Sequence, residues 1–435
     1  MEEETGSTVN TACSIKKLTD HKSMRGLFLI CWITYFSTYI GRLNFSASMG
    51  DMMISGGFTK SQLGLVAGSF FLAYGLGQLI SGVLGDKVSP RLLVFTGVVA
   101  SSLLNVAMGI SSTYQVMVVL WFANGLVQSL TWSPIARLIS DRLPRKRCVK
   151  ALVDLSTTVP AGTLLTYFLC SLLIKYLSWR TVFYMAAGLM LPMAFMWYIG
   201  ISKLERRAEL HGTVEEEIEE LRMDALREKT PAANLTFHKV VILSGLLFIS
   251  IGAMLHGFLK DGIMTWVPTY LTDTFNTGTA LSIQLTMALP IINLLGVYLS
   301  SFLNTHVFKN ELVTAAFFFG VTVAAILTLV YFGHASIVLS LIVLGVITSA
   351  MLGVNTMLVS LVPLYFNKTG KVSTVSGMLN STTYIGSAAS SYGIGAVAQH
   401  FGWGFTRMAW GVLAFLGAGI CLFASRKWQQ FSKSS

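Results

Sequence analysis

The sequence predicts an all-α membrane protein of twelve transmembrane helices, arranged as two six-helix pseudo-repeats. Three observations carry this reading. The 435-residue chain is 53% hydrophobic and only 12% charged, about half the charged share of a soluble domain. It contains a dozen apolar windows of roughly 20 residues, the length a helix needs to cross a bilayer. Its basic residues gather in alternate loops.

The windows fall near 26–48, 62–84, 91–111, 114–136, 151–174 and 180–202 in the first half. In the second half they fall near 240–263, 279–303, 312–332, 336–362, 372–398 and 403–424. Residues 203–239 form the one clear polar interruption, with Glu215, Glu216, Glu217, Glu219 and Glu220 among several Arg and Lys. A solvated linker, or a short charged helix at the membrane surface, is expected there. The organisation that follows is a tail (1–25), a six-helix half (26–202), a linker (203–239), a second half (240–425) and a short tail (426–435).

The net charge of +11 raises the question of a nucleic-acid partner. Its distribution answers it. Lys16, Lys17, Lys22 and Arg25 precede the first helix; Lys87 and Arg91 follow the second; Arg142, Arg145, Lys146, Arg147 and Lys150 follow the fourth. The opposite loops hold only Lys60, Lys175, Arg180 and Arg407. Positive-inside bias places both termini in the cytoplasm and assigns the excess charge to topology, not to nucleic acid. The polar N-terminal tail opens on Glu2, Glu3 and Glu4 and has no small-residue cleavage site, so it does not read as a signal peptide. Cys13, Cys31, Cys148, Cys170 and Cys421 lack metal or disulfide spacing and read mostly as small apolar fillers.

The halves repeat. Leu155-Ser-Thr-Thr158 followed by Trp179 matches Asn380-Ser-Thr-Thr383 followed by Trp403, about 220 residues on. Arg42 and Lys260 stand in equivalent helices at a similar offset. A cation at mid-membrane costs about 3 kcal/mol on insertion scales, so it normally faces a cavity and serves a purpose. Parallel six-helix repeats place a substrate site at the midplane between them. A matched pair of cations there points to an anion.

Tyr35, Tyr39 and Arg42 fall at i, i+4 and i+7, hence on one helix face. Phenol hydroxyls and a guanidinium fork suit phosphate or carboxylate oxygens. The structural alternative is that Arg42 braces another helix through its carbonyls, and Asn44 is a similar brace. His256 and Lys260 share a face of the seventh helix, while Asp261 points about 100° away; an internal Lys260–Asp261 ion pair is the bland reading. Trp266-Val-Pro268-Thr-Tyr270-Leu is expected to form the outer aromatic belt and the helix stop.

The loop Gly82-Val-Leu-Gly-Asp86-Lys87-Val-Ser-Pro90-Arg91 resembles the helix 2–3 loop of the major facilitator superfamily. That resemblance implies the major facilitator fold, with Gly82, Asp86 and Arg91 as a cytoplasmic latch. The equivalent loop 300–310 lacks the Asp, so a latch there is expected to be weaker. A closer resemblance is to the organophosphate:phosphate antiporters. It rests on Tyr35, Tyr39 and Arg42, on Ala73-Tyr74-Gly75, on the seventh-helix cation followed by Gly262 and Trp266-Val-Pro-Thr-Tyr-Leu271, and on Tyr384-Ile-Gly386. The resemblance implies substrate binding by Arg42, Lys260, Tyr35, Tyr39, Tyr74 and Tyr384, with inorganic phosphate as counter-anion. This chain departs from the glycerol-phosphate exchangers at Gln78, at Thr157 and at Lys260, where bacterial members usually have Arg. The Arg42-Leu-Asn-Phe-Ser-Ala run also resembles the anion:cation symporters, which usually carry Asp where this chain has Gly41.

Asn124 and Gln128, one turn apart, either line the cavity or bond across helices. With Gln78, Thr157, His256 and Asp261 they complete the candidate cavity or coupling groups. Every glutamate is assigned to a tail or loop, Glu311 included, which leaves few buried carboxylates for proton coupling and favours exchange. No phosphate-binding loop of the Gly-x-x-x-x-Gly-Lys-Ser/Thr kind occurs, so ATP-driven pumping is not expected. Neither a cofactor, a metal nor an enzymatic activity is expected. The expected partners are a small anion, phosphate and membrane lipid. A monomer in a cell membrane, of bacterial inner-membrane type, is the expected setting.

Overall fold

The computed structural model describes residues 16–211, 244–369 and 372–434, and these form a helical bundle. The first half comprises α1 (His21–Gly56), α2 (Lys60–Lys87), α3 (Pro90–Ile110), α4 (Tyr114–Arg142), α5 (Arg145–Leu155), α6 (Thr158–Tyr176) and α7 (Trp179–His211). The second comprises α8 (Leu246–Phe275), α9 (Thr279–Thr286), α10 (Leu289–Leu303), α11 (Glu311–Phe332), α12 (Ile337–Asn355) and α13 (Val372–Ser434). A π turn over Asn304–Phe308 follows α10, and a π turn with a 3-10 stretch carries α12 on to Thr369.

Eleven of the described helical stretches are long and apolar enough to span a bilayer. The last of these, 59 residues long, holds two spans. Gly402 (φ 75, ψ 174) divides α13, taking a left-handed backbone that costs glycine nothing. Large apolar side chains such as Leu103, Tyr298 and Phe415 are exposed, as lipid-facing positions are.

Two expected spans are broken. The fifth splits into α5 and α6 at Ser156-Thr157, and the eighth into α9 and α10 at Met287-Ala288. The cause is the same in both. Pro160 and Pro290 supply no N–H to the preceding turn. The hydroxyls of Thr157, Thr158 and Thr286 bond backward to the carbonyls of Asp154, Leu155 and Ser282. These two broken spans meet across the halves, where Gln284 donates to Ser171 Oγ at 3.3 Å.

The seventh span corrects an expectation. The Trp266-x-Pro268-x-Tyr270 segment is not a helix stop, since α8 runs through Pro268 to Phe275. Nor is it a lipid belt. Trp266 and Tyr270 are buried; Trp266 donates to the Ser391 carbonyl at 3.0 Å, and Tyr270 meets Trp403 edge-on. The expected linker also begins later, because residues 203–211 continue α7.

The repeat extends to contacts. Asp51 at the end of α1 accepts the Trp179 backbone N–H at 3.0 Å, and Asp273 at the end of α8 accepts Trp403 Nε1 at 2.9 Å. Arg180 caps the end of α3 through the Gly109 and Ser111 carbonyls; Arg407 caps α11 through the Leu329 carbonyl. At the opposite end Arg91 joins Glu205, while Glu311 joins Trp428. Each pair sits at matching places in the two halves, so the same helix pairs are tied twice by different chemistry.

The halves touch along α2 and the first part of α13. Gly64 and Gly68 make this possible, because a Cβ there would press on the Ser391 and Ala388 carbonyl oxygens at 2.6 and 2.8 Å. At the end bearing the α1–α2 turn, Lys60 pairs with Asp273 at 2.7 Å, and the Ser61 N–H donates to Gln399.

Candidate functional site

Tyr35, Tyr39 and Arg42 lie on one face of α1, as their spacing requires. The Tyr35 and Tyr39 rings meet edge-on at 5.5 Å, with hydroxyls 3.4 Å apart, and Tyr35 also packs on Trp132. Arg42 projects toward α2 and lies 5.3, 5.6 and 4.9 Å from the ring centroids of Phe70, Phe71 and Tyr74. Stacking on rings holds a guanidinium in low dielectric without supplying an anion. One of its donors reaches the Tyr384 hydroxyl on the opposite half.

Tyr74 carries the site across to the other half, meeting Tyr384 of α13 at 5.0 Å between centroids. Arg42 is in electrostatic range of Tyr39, Tyr74, Tyr384 and Asp261, and Tyr39 is in range of both Arg42 and Lys260. All six residues assigned to substrate binding thus converge on one place between the halves. Gln78, one turn beyond Tyr74, reaches the Tyr74 hydroxyl.

On α8, Lys260 Nζ sits 3.2 Å from Asp261 Oδ1. The other carboxylate oxygen of Asp261 accepts a 2.6 Å hydrogen bond from Ser387 Oγ on α13. The second cation is therefore already paired in this state, as the bland reading anticipated. His256, one turn before Lys260, is fully buried.

Asn124 and Gln128 do not face a cavity. Both are buried, and both donate to the carbonyl of Gly41, at 3.0 and 3.1 Å. Asn105 donates to the same oxygen at 3.4 Å and accepts from Asn44 at 2.7 Å; Ser101 ties Asn124 to Gln128. An amide cluster from α1, α3 and α4 thus grips the backbone immediately before Arg42. A Cβ at Gly41 would displace the end of the Met190 side chain and crowd Asn105. Asn44 is the brace its sequence position suggested. Asn105 and Ser101 were not singled out; a polar pair at i, i+4 in an apolar helix is the signal that marks them.

Thr157 stands apart from the cation site. Its hydroxyl accepts from Trp32 Nε1 at 2.9 Å and donates to the Asp154 carbonyl, at the break between α5 and α6. Of the expected latch, the side chains of Gly82 and Asp86 lie outside the described residues. Arg91 pairs with Glu205 at 2.9 Å and lies over Tyr198.

The expectation for Glu311 is corrected. It is the first residue of α11, buried, and receives Tyr365 OH at 2.7 Å, Trp428 Nε1 at 2.8 Å and Asn304 Nδ2 at 3.4 Å. Three donors satisfy a carboxylate that the sequence assigned to a solvated loop. The 300–310 region lacks an Asp, yet the second half carries this clasp beside it. Among the described residues, no cluster of His, Cys, Asp and Glu could hold a metal ion.

Among the described residues, eleven membrane-long helical stretches, the last holding two spans, form two matched halves with a charged site between them. The chain matches the Major Facilitator Superfamily over residues 31–391 and belongs to that family. Relatives of the organophosphate:phosphate antiporter type resemble it. A "Probable hexose phosphate transport protein" of Chlamydia muridarum is 24% identical over 390 residues, covering 87% of this chain and 85% of the relative. The "Glycerol-3-phosphate transporter" of Bacillus subtilis is 24% identical over 260 residues, 57% of each chain. The "Membrane sensor protein UhpC" of Escherichia coli is 26% identical over 262 residues, 58% of this chain and 57% of the relative. In fold the chain resembles a bacterial homolog of the human lysosomal transporter Spinster, crystallised in an inward-facing and unoccupied conformation. The TM-score is 0.75 at 14% identity, covering 95% of this chain and 99% of that one.

Proposed function

We propose that the protein is a secondary active transporter that exchanges a sugar-phosphate type organophosphate for inorganic phosphate by alternating access. The convergence of Arg42 and Lys260 with Tyr39, Tyr74 and Tyr384 between the halves carries this reading. Arg42 offers a planar fork to two phosphate oxygens, Lys260 a point charge to a third, and the phenols donate to what remains. The sugar-phosphate and glycerol-phosphate names of the relatives agree with this chemistry. A carboxylate symporter is disfavoured by Gly41, which stands where such symporters usually carry an aspartate before the arginine.

Exchange follows from charge. With Lys260 paired to Asp261, an empty site keeps the charge of Arg42 unneutralised as the halves close on it, and desolvation makes that costly. A bound anion lowers the cost in both directions, so each passage needs a passenger. With both termini in the cytoplasm, the Lys60–Asp273 pair would lie on the outer side, where it ties the two halves together. The two halves act as rocking units, joined by the linker that follows α7.

A second reading is a receptor that binds a sugar phosphate with little flux, favoured by the sensor named among the relatives. Proteoliposomes distinguish these readings. Phosphate-loaded vesicles without a pH gradient take up labelled glucose 6-phosphate or glycerol 3-phosphate if the exchange reading is right. Binding without uptake supports the sensor, and uptake that follows only an imposed proton gradient contradicts exchange.

A further inference from the structure

Asp261 is an unexpected neighbour for a cation that is meant to hold an anion. Its side chain lies 3.2 Å from Lys260 Nζ, is largely buried, and is anchored from the far side by Ser387 Oγ at 2.6 Å. It is also in electrostatic range of Arg42 and of Tyr384. Because Ser387 belongs to α13 and not to α8, the carboxylate is fixed by the bundle and does not drift with the lysine stem. A lysine ammonium, by contrast, moves on four rotatable carbons. Lys260 therefore has two anions to choose from when the site is loaded, and one when it is empty.

We infer that Asp261 is a built-in counter-anion that sets the site to a single net positive charge and so selects singly charged anions. Arg42 and Lys260 supply two positive charges and Asp261 removes one. A singly charged ligand then leaves the closed site neutral, whereas a doubly charged one leaves it negative beside an unprotected carboxylate. Like charges sharing a dry site are disfavoured strongly. The inference rests on the anion-transport reading above and specifies which charge form that site takes. It also accounts for an arrangement that would otherwise weaken the site, namely a lysine spent on its own neighbour.

The test uses purified full-length protein and two probes of one chemistry. Dimethyl phosphate carries one charge at any working pH, and methyl phosphate carries two at pH 8, since the second phosphate pKa is about 6. Both compete against labelled inorganic phosphate in a binding assay, so no transport is required. Wild-type protein should prefer dimethyl phosphate. Asp261→Asn keeps an oxygen for the Ser387 hydroxyl and removes only the charge; it should move the affinity ratio toward methyl phosphate by about tenfold or more. Ser387→Ala keeps the charge and should leave the wild-type preference in place. An unchanged ratio in Asp261→Asn overturns the inference, as does the same shift in Ser387→Ala, which would make the residue a brace only. Wild-type protein that binds neither probe nor phosphate overturns the anion-site reading itself, a separate result.

Discussion

Lys60 at the start of α2 and Asp273 at the end of α8 form a 2.7 Å ion pair that joins the two halves of the bundle. Asp273 also accepts Trp403 Nε1, and the Lys60 ammonium lies 5.7 Å from the Trp403 ring centroid, so three residues lock one corner. The pair is partly solvated, and such pairs contribute about 1 kcal/mol or less. That is small against a folding energy but large against a balance between two conformers, where 1.4 kcal/mol is about tenfold in population. Asp273→Asn is expected to raise the population open at this end by a few-fold. Labelling of Ser61→Cys, next to the pair on α2, measures it; unchanged labelling rates would remove the corner from the gate.

Arg42→Ala and Lys260→Ala are each expected to reduce substrate uptake nearly to background while expression and monodispersity stay normal. Arg42→Lys keeps the charge but loses the planar fork and the stacking on Phe70, Phe71 and Tyr74, and should recover only part of the activity. Normal uptake by either alanine variant contradicts the two-cation site.

The amide cluster on the Gly41 carbonyl acts on Arg42 through the backbone. Asn124→Ala removes one of the donors to that oxygen and leaves Ser101 without its acceptor. A lost buried hydrogen bond of this kind costs about 1–3 kcal/mol. Expected consequences are a lower thermal midpoint and a weaker apparent substrate affinity, with Asn124→Asp restoring neither because it removes the donor. An Asn124→Ala variant with wild-type affinity and lowered stability would reduce the cluster to packing.

Glu311 is held by three donors inside the second half. Glu311→Ala strands the buried Trp428 indole N–H, at about 1–3 kcal/mol for an unsatisfied group, and removes the acceptor of the half-buried Tyr365 hydroxyl. The thermal midpoint in detergent should fall by several degrees, and Glu311→Gln should fall less. Equal midpoints for all three proteins would show that the clasp contributes nothing to stability.

Much of this was legible before any coordinates. A membrane span is a local property of about 20 consecutive residues, so composition alone located the spans. Arg42 and Lys260 stood out because a charge in an apolar helix is rare and costly. The Asp51–Trp179 and Asp273–Trp403 pairs were half visible, through the tryptophans but not their acceptors. Breaks near Ser156 and Met287 were missed although Pro160 and Pro290 were in plain view, because apolar windows register hydropathy and not backbone hydrogen bonds. Pro268 misled in the other direction, suggesting a stop where packing against α13 carries the helix on to Phe275.

The sequence by itself determined the number of spans, the duplication, the family and the cations of the site, since each depends on residue type or on spacing within a helix. Tertiary structure decided what those residues touch. It gave Lys260 an anion of its own in Asp261, chose cross-helix bonding over cavity lining for Asn124 and Gln128, buried Glu311, and joined Lys60 to Asp273. These are contacts between side chains brought together by helix packing, and their partners depend on how whole helices rotate and tilt. No local pattern encodes that rotation; it is set by the close packing and interhelical hydrogen bonds of all the helices at once.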